Sequence, residues 1–173
     1  MEQEFLIDAG QPDLFGTLHA ATEHFNAILN SGEDTHCPCC ARYAKIYKRT
    51  INRSMVKMLL KASVYARDEY KHISYILGTG NAGGDFAKLA YWGLIEAQPK
   101  DEGSEKKHSG YWRITKDGLL FLLSSLSVPK YAYVYDGMVL SRSIDVITVA
   151  QAYGETFNYK ELMEQYVEPD DYR

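Results

Sequence analysis

Between Asn81 and Leu122 the apolar and polar positions follow a readable order. After a glycine-rich start, Phe86, Leu89 and Ala90 share one face at helical spacing, and Gly93 ends the run. Leu94-Ile95-Glu96-Ala97 reads as a strand, a polar tip follows, and Tyr111-Trp112-Arg113-Ile114-Thr115 returns as a second strand. Thr115 stands where it caps a new helix with Leu119, Leu122 and Leu123 as its apolar residues. Upstream, Leu14, Leu18, Ala21, Phe25, Ile28 and Leu29 line one face of an amphipathic helix that starts at Pro12-Asp13 and ends at Asn30-Ser31-Gly32. Phe5, Leu6 and Ile7 read as a short strand or an ordered arm, and Ala44 to Ile51 as a basic strand. Asn52 caps the next helix, whose stripe is Met55, Met58, Leu59 and Ala62. Asp68-Glu69-Tyr70 opens another helix through Ile73, Ile76 and Leu77, and Gly78-Thr79-Gly80-Asn81 is a turn. Beyond Pro129, Tyr131, Tyr133 and Tyr135 alternate toward Asp136-Gly137, a hairpin signal, and Met138-Val139-Leu140 returns. Residues 144–153 and 159–167 read as short elements.

Helix, strand, charged loop, strand, helix is the layout of a winged helix-turn-helix. Leu89, four before Gly93, then Gly-Leu-Ile-Glu, a basic wing and Trp-Arg-Ile-Thr-Lys-Asp-Gly-Leu-Leu-Phe-Leu resemble that superfamily, especially its MarR-like members, over roughly residues 53–126. The expected fold class is mainly α with small β-sheets (α+β): a winged helix-turn-helix core with an N-terminal helix and a C-terminal hairpin extension. The resemblance implies DNA binding. The same fold also serves protein–protein contacts, so fold alone does not fix the role.

Charge divides the chain in three. Residues 1–41 hold seven Asp/Glu and no Lys/Arg; residues 42–130 hold sixteen Lys/Arg against eight Asp/Glu; residues 131–173 are acidic again. These shifts suggest an acidic N-terminal arm and helix (1–41), a core with its preceding basic segment (42–128) and a hairpin with an acidic extension (129–173). A basic middle is the footprint of a polyanion partner, or else it is neutralised by acidic flanks packed on it. No apolar run approaches the ~20 residues that cross a bilayer, and the start Met-Glu-Gln-Glu-Phe-Leu is acidic where a signal peptide is basic. The expected compartment is the cytoplasm.

The candidate nucleic-acid contacts follow from this. Arg42, Lys45, Lys48, Arg49 and Arg53 are interleaved with Tyr43 and Tyr47, a mixture suited to phosphates with some stacking on bases. On the expected recognition helix Asp85, Lys88 and Tyr91 point outward, with Thr79, Asn81 and Gly84 at its start. Asp85 is unfavourable beside a phosphate, though a cytosine amino group suits it. In the wing, Lys106 and Lys107 reach the backbone. Cys37-Pro38-Cys39-Cys40 is a turn that presents two thiolates to zinc, as in a zinc knuckle; His36 and His24, or a second chain, would complete the four ligands a closed site needs. The sequence lacks G-x-S-x-G, H-E-x-x-H and P-loop motifs, and Gly78–Gly84 has the wrong spacing for a dinucleotide motif, so no enzyme is expected. Two roles remain: a DNA-binding transcriptional regulator, with double-stranded DNA as partner, or a small acidic regulatory or inhibitory protein, including one encoded by a phage, that binds a basic protein surface through the same scaffold. Single-stranded nucleic acid on the Tyr/Lys stretch is a third. A homodimer is compatible with each.

Overall fold

In the computed structural model, residues 18–38, 40–78, 84–99, 110–154 and 156–165 are described. The chain is a mixed α/β protein with small antiparallel sheets. Helix α1 (Leu18–Ser31) turns Ala21, Phe25, Ile28 and Leu29 inward, on the stripe that the spacing predicts, and Gly32 at φ +84° ends it. The expected strand over 44–51 is instead two. β2 (Tyr43–Ala44) pairs back on β1 (Thr35–His36), while β3 (Tyr47–Arg49) belongs to another sheet. The break at Lys45-Ile46 lets each short strand find its own partner.

Helix α2 (Arg53–Tyr65) is the centre of the molecule. Asn52 caps it, its side-chain oxygen accepting from the Met55 amide at 3.0 Å. Met55, Val56, Leu59, Leu60 and Ala62 are buried, a wider stripe than the period predicts, because neighbours pack on both sides: α3 (Ile73–Leu77), α4 (Gly84–Lys88), α5 (Lys116–Leu122) and α6 (Val149–Tyr153). Helix α3 starts later than expected. Residues 66–69 bend, and Lys71–His72 form β4, which pairs with β6 (Tyr111–Ile114); His72 then caps α3. Sheet pairing outweighs the local helix signal there. Helix α4 runs into a 3-10 turn, Leu89–Trp92, that Gly93 stops at φ +71°. β5 (Ile95–Ala97) then pairs with β6 in the register Ile95↔Ile114 and Ala97↔Trp112, giving the order β4-β6-β5. Thr115 caps α5, accepting from the Gly118 amide at 3.0 Å. α5 buries Phe121 and Leu122, and Leu123 faces solvent.

β7 (Val128–Pro129) pairs with β10 (Val146–Ile147), and between them β8 (Ala132–Tyr135) and β9 (Met138–Arg142) form the expected hairpin. Asp136 and Gly137 both take positive φ, as a tight two-residue turn requires. β3 joins this hairpin, giving the order β3-β8-β9. α6 and α7 (Tyr159–Glu164) follow, and Val149, Tyr153 and Leu162 enter the same buried cluster as α2. One core thus runs from Ile51 to Leu162, across the boundary that composition marks at 128/129.

Candidate nucleic-acid interface

Three stretches far apart in sequence supply cations that rest on tyrosine rings. Alternation along β3 puts Lys48 on one sheet face and Tyr47 and Arg49 on the other. Pairing with β8 sets Lys48 opposite Tyr133 and diagonal to Tyr131, and Lys48 Nζ lies 3.8 Å from the Tyr131 ring centre. Lys130 Nζ approaches the same ring at 5.4 Å. Arg49 stacks over Tyr47 at 4.7 Å and Arg53, in the first turn of α2, over Tyr153 at 4.6 Å. Contacts of this kind hold each cation by about 0.5–1 kcal/mol at an exposed site. Among the described residues, none of these four cations is ion-paired with a carboxylate. Sharing Tyr131 keeps the two ammonium groups within about 9 Å, where like charges repel by about 0.5 kcal/mol in water. An anion laid across them removes that repulsion.

The other predicted contacts lie differently. Lys45 is spent on Asp34 at 2.9 Å, and Arg42 is exposed beside the cysteine turn. Gly84 opens α4 and is exposed, but every residue from Asp85 to Trp92 is at least partly covered. Lys88 Nζ pairs with Asp85 at 2.6 Å. Tyr91 packs against the core, and its carbonyl accepts from Arg142 Nε at 3.0 Å and Nη2 at 2.8 Å. Gly137 and Val139 of the β8–β9 hairpin line a cleft with Gly84, Ala87 and Tyr91, so the hairpin flanks the helix expected to read a groove. Thr79, Asn81, Lys106 and Lys107 lie outside the described residues, as do residues 1–17.

A recess of about 210 Å³ lies between β3, the start of α2 and α4. Lys48, Arg49, Thr50, Asn52, Asp85 and Lys88 line it, over Met55 and Trp92. Trp92 is buried, and its indole N–H donates to the Pro129 carbonyl at 2.7 Å.

The four ligands expected for zinc are not brought together. Among the described residues no three His, Cys, Asp or Glu side chains converge on a metal-sized site. His36 turns its ring edge to Tyr43 at 5.6 Å, and His24 is exposed on α1. Cys37 and Cys40 do flank a tight turn: the Ala41 amide donates to the Cys37 carbonyl and the Cys37 amide to the Arg42 carbonyl, both at 2.8 Å. Ala41 takes φ +55° to close it.

Sequence reasoning missed Lys130, Tyr131 and Tyr153 as members of these cation–ring contacts. Lys130 beside two aromatics in Lys-Tyr-Ala-Tyr was the available signal, and only the β3–β8 pairing gives it meaning. Comparison with family models, curated proteins and solved structures gave no match. No helix among the described residues is long and apolar enough to cross a membrane.

Proposed function

We propose that this chain is a non-enzymatic DNA-binding protein with a winged-helix layout that holds duplex DNA by its phosphates, as a transcriptional regulator does. The order α2, β4, α3, α4, β5, β6 with the sheet β4-β6-β5 supports the winged-helix reading. The observation that carries the DNA reading is the group Lys48, Arg49, Arg53 and Lys130, set on tyrosine rings rather than on carboxylates. The cover over α4 assigns Lys88 and Tyr91 a smaller part in base readout than their helical positions suggest. Affinity on this reading is largely indifferent to sequence, since phosphate contacts position a duplex without reading it.

Fluorescence anisotropy with a labelled duplex across a salt series tests this. Each phosphate contact adds about −0.9 to the log–log slope of affinity against salt. Changing Lys48 and Arg49 together to Ala should weaken binding to every duplex alike and flatten the slope by up to about 2. If the protein does not bind duplex DNA at low salt, a second reading replaces the first: a regulator that docks on another protein. Exposed apolar side chains favour that alternative: Met138 and Leu140 on β9, and Ile144 and Val146 after it.

A further inference from the structure

We infer that the outward ridge of α2 is the surface along which one strand of a duplex runs, with its phosphates on Arg53, Lys57 and Lys61. These residues stand four apart, so they follow a single ridge of the helix, with Tyr65 at its next position. Arg53 and Lys57 are exposed and Lys61 is half-buried, while Met55, Val56, Leu59, Leu60 and Ala62 take the other side of the helix into the core. Rings bound the ridge at both ends: Tyr153 of α6 holds Arg53, and Tyr75 of α3 meets Tyr65 edge-on at 6.0 Å. A ring holds a cation without neutralising it. No Asp or Glu occurs in α2. Among the described residues Lys57 and Lys61 are in no ion pair, and neither are Glu161 and Glu164 of the neighbouring α7. Like charges four apart destabilise a helix, and a cation in its first turn opposes the macrodipole. The central helix of the molecule thus carries three charges that its own folding does not favour and no carboxylate offsets. An anion laid along the ridge supplies the missing partner. From Arg53 to Lys61 the helix rises about 12 Å. One strand of a duplex carries a phosphate about every 3.4 Å of its axis, so that length passes about three to four of them. Arg53 belongs both to the ridge and to the ring-held cations, which makes the two continuous and favours the duplex over an acidic protein as the occupant.

The inference rests on the duplex reading and names the element that lies along the strand. Anisotropy of a labelled duplex over a salt series tests it, with Lys57 and Lys61 changed together to Ala. The log–log slope of affinity against salt should flatten by up to about 2, alike for every duplex sequence. Lys57→Arg with Lys61→Arg keeps the charge and should keep the wild-type slope. Arg67 and Lys116 line a different recess together, off the ridge, and changing both to Ala should leave the slope in place. The Lys57 and Lys61 alanine variant should melt no lower than the wild type, because it removes like charges four apart and adds good helix formers. Weakened binding by that variant is then not damage to the fold. A slope that the ridge variant leaves unchanged, while Ala at Lys48 and Arg49 flattens it, overturns the ridge and leaves the duplex reading standing. An equal loss from Arg67 and Lys116 also overturns the ridge, since net charge alone would then account for the effect. Flattening from the ridge and none from Lys48 and Arg49 upholds the ridge and moves the duplex off β3. A protein that binds no duplex at low salt overturns both. An Asp- and Glu-rich peptide held by the wild type and not by the ridge variant would then name an acidic protein as the occupant.

Discussion

Asp34 accepts a hydrogen bond from the Tyr43 hydroxyl and another from Lys45 Nζ, and these two hold its carboxyl below the ordinary carboxylate range. The same contacts push the Tyr43 hydroxyl and the Lys45 ammonium upward. Since folding lowers the pKa of Asp34, its stabilisation of the β1–β2 pair is complete above the pKa of the unfolded chain. It is lost as pH falls through the lower, folded value. Carboxyl NMR of Asp34 should therefore give a midpoint below that of a short peptide, with Tyr43→Phe moving it part of the way back; a midpoint at or above the peptide value would sink the argument. Single residues with local jobs were legible in the sequence. Asn52 and Thr115 cap as their chemistry dictates, and Asp136-Gly137 turns. Residues whose partners are distant were not, and Lys88 is an instance: its helical position is visible, its commitment to Asp85 and the cover over its helix are not.

At the scale of elements, α5 shows how closely the pieces fit. A Cβ added at Gly118 would fall on the Leu94 carbonyl and the Ile114 side chain, so the helix rests almost directly on the start of β5 and on β6. Ala in place of Gly within a helix normally gains about 1 kcal/mol. Here the overlap outweighs that gain, and Gly118→Ala should cost about 2 kcal/mol net, seen as a fall of about 4–8 °C in thermal midpoint; an unchanged or raised midpoint would mean that α5 has room to shift. Helix and hairpin periods located α2, α4, α5 and the β8–β9 turn from sequence. The start of α3 was hidden, because Lys71-His72 pairs with Trp112-Tyr111 and no local pattern announces an edge strand of two residues. The same limit split the expected strand after Ala44.

For the whole molecule, the change of composition after residue 128 marks a change of surface rather than the end of a folding unit. Ala132, Val134, Ile147, Val149, Tyr153 and Leu162 all lie in the cluster built on α2. A chain stopped at residue 128 leaves that cluster open, so it should melt without a cooperative transition and bind hydrophobic dyes, whereas the full chain melts sharply; a sharp transition in the shortened chain would show a self-sufficient core. Pattern reading placed the elements and could not place this closure, because the pairing of Tyr47–Arg49 with 132–134 joins segments more than eighty residues apart. That pairing also has a consequence in time. On the ribosome, Lys48 and Arg49 emerge long before Tyr131, and loop closure of that length is slow to form. A growing or prematurely released chain carries Arg49 on its own neighbour Tyr47 but Lys48 without the Tyr131 ring that aligns it, so it is a poor competitor for whatever the completed protein holds through Lys48.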